Sequence, residues 1–220
     1  MSETENRHLP VWQESILLVV TALVMAVIVK SFFLQAFYIP SQSMEPGLLV
    51  NDKILVQKVS YWFGHPHRGD VVVFDDPGGW LGEAETITAH NPVQKGLELI
   101  GLFPTGGHLI KRVIGIGGDH VVCCDQVGRL MVNGTSLDEP YLMAGGGPTD
   151  GQKFDVTVPD GHLWVMGDNR GNSADSRVHL GDPGGGFVDE GQVVGKAWVR
   201  VWPFNRLGII RDPHTFDAVQ

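Results

Sequence analysis

The chain has 220 residues, enough for one large domain or two small ones, with a hydrophobic fraction of 43% and only two cysteines. That excludes collagen-like, disordered and disulfide-scaffold classes, and 29 Gly with 13 Pro indicate a β-rich chain with many turns. Sixteen Lys and Arg against 25 Asp and Glu give a formal net charge of -9, which would repel a phosphate backbone and argues against nucleic acid as a partner.

Residues 1–10 read as a short polar tail. Beyond it, the run from Ile16 to Val29 is interrupted only by Thr21, short by itself of the roughly 20 residues that span a bilayer. Val11 and Trp12 extend it at one end and a mostly apolar stretch past Lys30 at the other, with a lysine that can snorkel. One transmembrane helix over 11–34 is therefore expected. A cleaved secretory signal fits less well, because Glu3, Glu5 and Glu14 outnumber Arg7 and no small-x-small site directly follows the apolar run. Arg7 and Lys30 flank the two ends, so the positive-inside rule does not choose the side of the remaining chain.

From residue 35 to 220 the pattern changes to short Val- and Ile-rich runs bounded by Gly, Pro and Asp, which predict strands at 53–59, 70–74, 108–115, 120–124, 129–132, 154–158, 162–166 and 195–202. Asn133-Gly134 and Asp160-Gly161 are two-residue hairpin signals. Residues 75–107 hold no sustained period and read as an inserted Gly-rich excursion. Adjacent Cys123 and Cys124 are poorly placed for an ordinary bridge and are expected on a strand with one or both thiols buried. The fold expected is mainly β: a membrane helix, then a domain of antiparallel sheets with Gly/Pro-rich loops.

Three segments carry chemistry. Pro40-Ser41-Gln42-Ser43-Met44-Glu45-Pro46, held extended by its prolines, puts the Ser41 and Ser43 hydroxyls on one face; alone it would read as a polar linker leaving the membrane. A serine hydroxyl needs a base, and no histidine stands in a recognisable triad setting. Lys111, in the apolar run Leu109-Ile110-Lys111-Arg112-Val113-Ile114, would be desolvated if it faced inward. To serve as a base near neutral pH its pKa of about 10.4 must fall by roughly 2–3 units; otherwise it is a strand-edge lysine paired with a carboxylate. Alternation turns Arg112 the opposite way. The third segment, Met166 to Arg177, is so rich in turn-forming polar groups that it could be a loop held together by its own Asp–Arg pairs.

Ser41-Gln42-Ser43-Met44-Glu45-Pro46, Ile110-Lys111-Arg112 leading to Gly117-Gly118-Asp119, and Gly167-Asp168-Asn169-Arg170 with Asn172-Ser173, Asp175, Ser176 and Arg177 resemble the ordered motifs of bacterial type I signal peptidases. The resemblance runs from the end of the expected anchor to about Trp202. It implies a membrane-bound serine endopeptidase that removes signal peptides from exported preproteins after a small-x-small site. Ser43 would be the nucleophile and Lys111 the general base. The Ser43 N–H and Ser41 hydroxyl would form the oxyanion hole, and Ser173 would orient the lysine. Asp168, Asp175 and Arg177 match bracing positions, while Phe37, Ile39, Leu48 and Ile110 match the lining of shallow substrate pockets. Asn51-Asp52 and Arg68-Gly69-Asp70 match structural motifs. The family places the catalytic domain on the extracytoplasmic side of the cell membrane; the partners implied are signal peptides and the lipid bilayer, with no metal and no cofactor. Gly47 stands where a threonine is common and Leu109 where an aromatic is frequent. Two other readings compete: a different membrane-anchored Ser/Lys processing peptidase, and a tethered β-domain that binds secreted chains without cutting them.

Overall fold

The computed structural model describes residues 10–81, 107–144, 147 and 151–219, and in the N-terminal helix its side chains as far as Val27. Most of the 75–107 excursion thus lies outside the described residues. Helix α1 covers Val11–Phe32. The strands, in chain order, are β1 (Leu34–Tyr38), β2 (Lys53–Gln57), β3 (Val71–Asp75), β4 (His108–Ile116), β5 (His120–Cys123) and β6 (Leu130–Val132). They continue with β7 (Thr135–Ser136), β8 (Phe154–Thr157), β9 (His162–Met166), β10 (Val188–Asp189), β11 (Val193–Trp202) and β12 (Gly208–Ile209).

Two antiparallel sheets hold these strands, so the expectation of a mainly β chain is met. The larger runs β1-β2-β11-β3-β4-β9-β10, with β12 added to β11; the smaller runs β7-β6-β5-β8. Three apolar clusters fill the interior. Trp164 and Ile114 pack with Val121, Leu130 and Phe154 of the smaller sheet, Phe37, Ile39 and Met44 pack with Ile54, Val56 and Val73, and Val72, Phe74 and Val113 pack with Leu163 and Val165. β4 is buried over Leu109–Gly115, as a strand covered on both faces should be.

The expected membrane helix is not shown: among the described residues no helix is long and apolar enough to cross a membrane. Three expectations need correction. The helix stops at Phe32, two residues short of the expected end, because Leu34 already pairs with Gln57 as the first residue of β1, an edge strand the sequence did not predict. The Asp160-Gly161 turn forms, with Gly161 at φ 72°, but it joins β8 of the smaller sheet to β9 of the larger, so it passes the chain between sheets and closes no hairpin. Asn133-Gly134 does close one, β6 to β7, with both residues at positive φ as such a turn requires. Finally, Cys123 and Cys124 are joined to each other in a disulfide across a cis peptide, not carried as thiols.

Candidate active site

The segment after β1 turns back on itself. Ile39 accepts a hydrogen bond from Asn51 and donates one to Asp52, closing a loop that carries residues 40–50 over the end of the larger sheet. Asp52 fixes that loop by accepting from the Leu49 N–H at 2.8 Å and pairing with Arg206 at 3.0 Å. Ser43 and Met44 are thereby buried, 5% and 1% exposed. Lys111, central in β4 and paired across the ladder with Val72, is 4% exposed, and its Nζ lies 2.8 Å from Ser43 Oγ. Ser41 Oγ lies 3.3 Å from Ser43 Oγ on the same face of the segment.

The loop after β9 locks this geometry. The Asn169 N–H donates to the Ser43 carbonyl at 3.0 Å, and the Asn169 and Asn172 side-chain amides donate to the Gln42 carbonyl and side chain. Asp168 receives Arg112 through Nε at 2.8 Å and Nη2 at 2.7 Å, and Arg112 also donates to the Gly69 carbonyl and stacks over Tyr141. A fork-to-carboxylate pair of this kind fixes direction as well as distance. The expected brace Asp175–Arg177 is present, buried, with Asp175 also accepting from the Gly167 N–H. Burial opposes the Asp175 carboxylate, yet the Arg177 guanidinium and the Gly167 N–H hold it below the ordinary range.

Ser173 sits against the same turn: its Oγ is buried and makes no hydrogen bond among the described residues, whereas the family resemblance implies that it orients Lys111. A Cβ on Gly167 would come within 2.3 Å of that Oγ and 2.5 Å of the Ser43 carbonyl, so the two loops meet where only glycine fits. Phe37, Ile39, Leu48 and Ile110 share one buried apolar cluster with Met44, the residue after Ser43. β4 pairs with β9 only from Arg112 onward, leaving His108–Ile110 without a β9 partner on that edge.

Sequence reasoning included Gly167, Asn169, Arg170 and Asn172 in the motif without giving them a role, and missed Glu139, the buried partner of Arg170. The density of turn-forming amides in 167–172 was the available signal, but which carbonyls they serve is a property of the fold. Among the described residues no group of three or more His, Cys, Asp or Glu is arranged to hold a metal ion.

Comparison with known proteins shows the family. The model of the family described as "Signal peptidase, peptidase S26" matches residues 12–202. Signal peptidase I of Mycobacterium tuberculosis is 43% identical over 222 residues, covering 90% of this chain and 75% of that protein. The probable signal peptidase I of Mycobacterium leprae is 40% identical, covering 94% and 81%, and the probable signal peptidase I-2 of Synechocystis is 36% identical, covering 95% and 82%.

Proposed function

This chain belongs to the signal peptidase family, peptidase S26, and from that premise we propose that Ser43 is the nucleophile and Lys111 the general base with which it removes signal peptides from preproteins. The observation that carries the assignment is the 2.8 Å approach of Lys111 Nζ to Ser43 Oγ in a buried site. That separation is within the reach a base needs to take the hydroxyl proton.

In the proposed cycle neutral Lys111 removes the Ser43 proton as Oγ attacks the carbonyl carbon of the scissile peptide. The tetrahedral oxyanion is met by the Ser43 N–H and the Ser41 hydroxyl, donors held in place before the charge develops. Protonated Lys111 then gives its proton to the departing amine, leaving an ester on Ser43. Water, activated by the same lysine, hydrolyses that ester and restores the hydroxyl. Ser173, with an unengaged hydroxyl beside the site, is assigned to steadying the lysine amine. Asp168, Asp175 and Arg177 hold the loop that positions the Ser43 carbonyl.

Phe37, Ile39, Leu48 and Ile110 form the walls of shallow pockets for the first and third residues before the cut. Their apolar, confined packing favours small side chains by clash with larger ones. In this reading the apolar run Ile16–Val29, within α1, tethers the chain to the membrane, a role supported by the sequence and the family resemblance, since no described helix is by itself long and apolar enough to cross. Its described apolar side chains are turned outward, Leu18 66% and Leu23 61% exposed. The catalytic domain then lies on the extracytoplasmic side, next to substrates still held in the bilayer.

The test is cleavage of a preprotein with an Ala-x-Ala site. Ser43→Ala should abolish processing with fold and membrane insertion unchanged, and Ser41→Ala should leave a residual rate about 10²–10³ lower, the effect of losing one oxyanion donor. Processing by Ser43→Ala near the wild-type rate would remove Ser43 from the role. Retained binding of secreted chains without any cleavage by the wild type would identify a tethered binding domain instead.

A further inference from the structure

Against the loop that carries Ser43 lies a cavity of about 290 Å³, walled by Met44, Gly47 and Leu48 of that loop and by Arg112, Arg200 and Arg211 among others. We infer that this cavity is a binding site for a phosphate-type oxyanion, held between Arg200 and Arg211.

The charge balance of the walls argues for it. The carboxylate in the lining is Asp168, and both its oxygens are taken by Arg112. That pair closes on itself; Arg200 shares the single carboxylate Asp52 with Arg206, and Arg211 adds a further cation, so the surroundings of the cavity carry more guanidinium than carboxylate. Arg200 spends Nε on the Arg206 carbonyl and Nη1 on the Gly47 carbonyl, and stands 3.9 Å from Asp52, a carboxylate already engaged by Arg206 at 3.0 Å. Arg211, exposed to solvent, is one of the residues lining the cavity and makes no hydrogen bond or ion pair among the described residues. Burial and the neighbouring Arg206 disfavour the charge on Arg200 by more than Asp52 favours it, so its pKa is lowered. This local excess stands in a chain of net charge -9, so it does not come from a generally basic surface.

The geometry favours a tetrahedral oxyanion. Arg200 reaches the cavity from β11 and Arg211 from the segment past β12; with Nε and Nη1 given to carbonyls, Arg200 offers Nη2 to one phosphate oxygen, while the planar Arg211 fork can take two others. The bound group would rest against Gly47, whose carbonyl Arg200 and Arg206 both contact. A free phosphate and a phospholipid headgroup share this chemistry. Nothing in the inference depends on the role of Ser43.

The experiment uses the full chain in nonionic detergent, titrated calorimetrically with inorganic phosphate, and the full chain sedimented with phosphatidylcholine vesicles with and without phosphatidylglycerol. Each arm is repeated with Arg211→Gln and with Lys153→Gln, an exposed loop lysine distant in sequence from the cavity. Saturable phosphate binding weakened about tenfold by Arg211→Gln, and little by Lys153→Gln, identifies free phosphate as a ligand. A phosphatidylglycerol-dependent sedimentation with the same selective loss identifies the headgroup. If Arg211→Gln changes neither arm more than Lys153→Gln does, the cavity is no anion site.

Discussion

Adding a single methyl group at Gly167 should separate the chemistry from the fold. An alanine Cβ there would lie 2.5 Å from the Ser43 carbonyl oxygen and 2.3 Å from Ser173 Oγ, where ordinary contact begins near 3.4 Å. Ser173 can rotate its hydroxyl, but the Ser43 carbonyl is backbone and must recede by roughly 1 Å, carrying Oγ away from Lys111 Nζ. A misplacement of about 1 Å can cost 10²-fold in rate, and overpacking of this kind costs about 1–3 kcal/mol of stability. Gly195→Ala is the control, since its Cβ would meet the Gln57 carbonyl at 2.4 Å in the β11–β2 ladder, outside the described site. Thermal unfolding and kcat on a small-x-small peptide, measured per folded molecule, should show both variants destabilised and only Gly167→Ala slowed about a hundredfold. A folded Gly167→Ala enzyme within threefold of wild-type kcat would refute the claim that this contact sets the position of Ser43.

Arg112→Met should lower stability by about 3–5 kcal/mol in urea unfolding, because Asp168 would be left as an uncompensated buried charge; a loss below about 1 kcal/mol would mean the pair is not the brace described. Acid should also destabilise the fold in a defined direction. Asp175 and Asp119 are held below the ordinary carboxylate range against opposing burial, Asp175 by Arg177 and Gly167 and Asp119 by Arg68, the Ile116 N–H and Asn133. Groups so depressed stabilise the native state above the unfolded pKa of about 3.9, and that contribution is lost as pH falls through the folded value. Stability should therefore decline below about pH 4, and Asp119→Asn should flatten the decline; an unchanged slope would contradict the assignment.

What could be read from the sequence was local. The Val- and Ile-rich runs located the larger strands within a residue or two at most ends, and Ser43, Lys111 and their bracing residues were identifiable by motif order before any distance was known. β1 was hidden because Leu34-Gln35-Ala36-Phe37-Tyr38 continues the apolar stretch of α1, and hydropathy does not distinguish the end of a helix from an edge strand. The Asp160-Gly161 turn was legible as a turn, but which sheet each arm joins depends on non-local pairing. Arg112 was placed correctly on the face away from Lys111, yet its service to Asp168, 56 residues away, follows only from β4 lying beside β9. The cationic cavity has no sequence signature either, since Arg112, Arg200 and Arg211 converge from separated segments.

The central claim is that Lys111 acts as a neutral base on Ser43, and the most direct measurement is the rate at which folded Lys111→Arg cleaves an Ala-x-Ala preprotein. Arginine keeps the length and the positive charge but cannot be deprotonated in the working range, so a lysine with a merely structural role would be largely replaced by it. The account predicts no cleavage above background by a variant whose unfolding transition and membrane partitioning match the wild type. Cleavage by that folded arginine enzyme at a rate near the wild type would contradict the Ser43–Lys111 dyad, even if Ser43 itself proved essential.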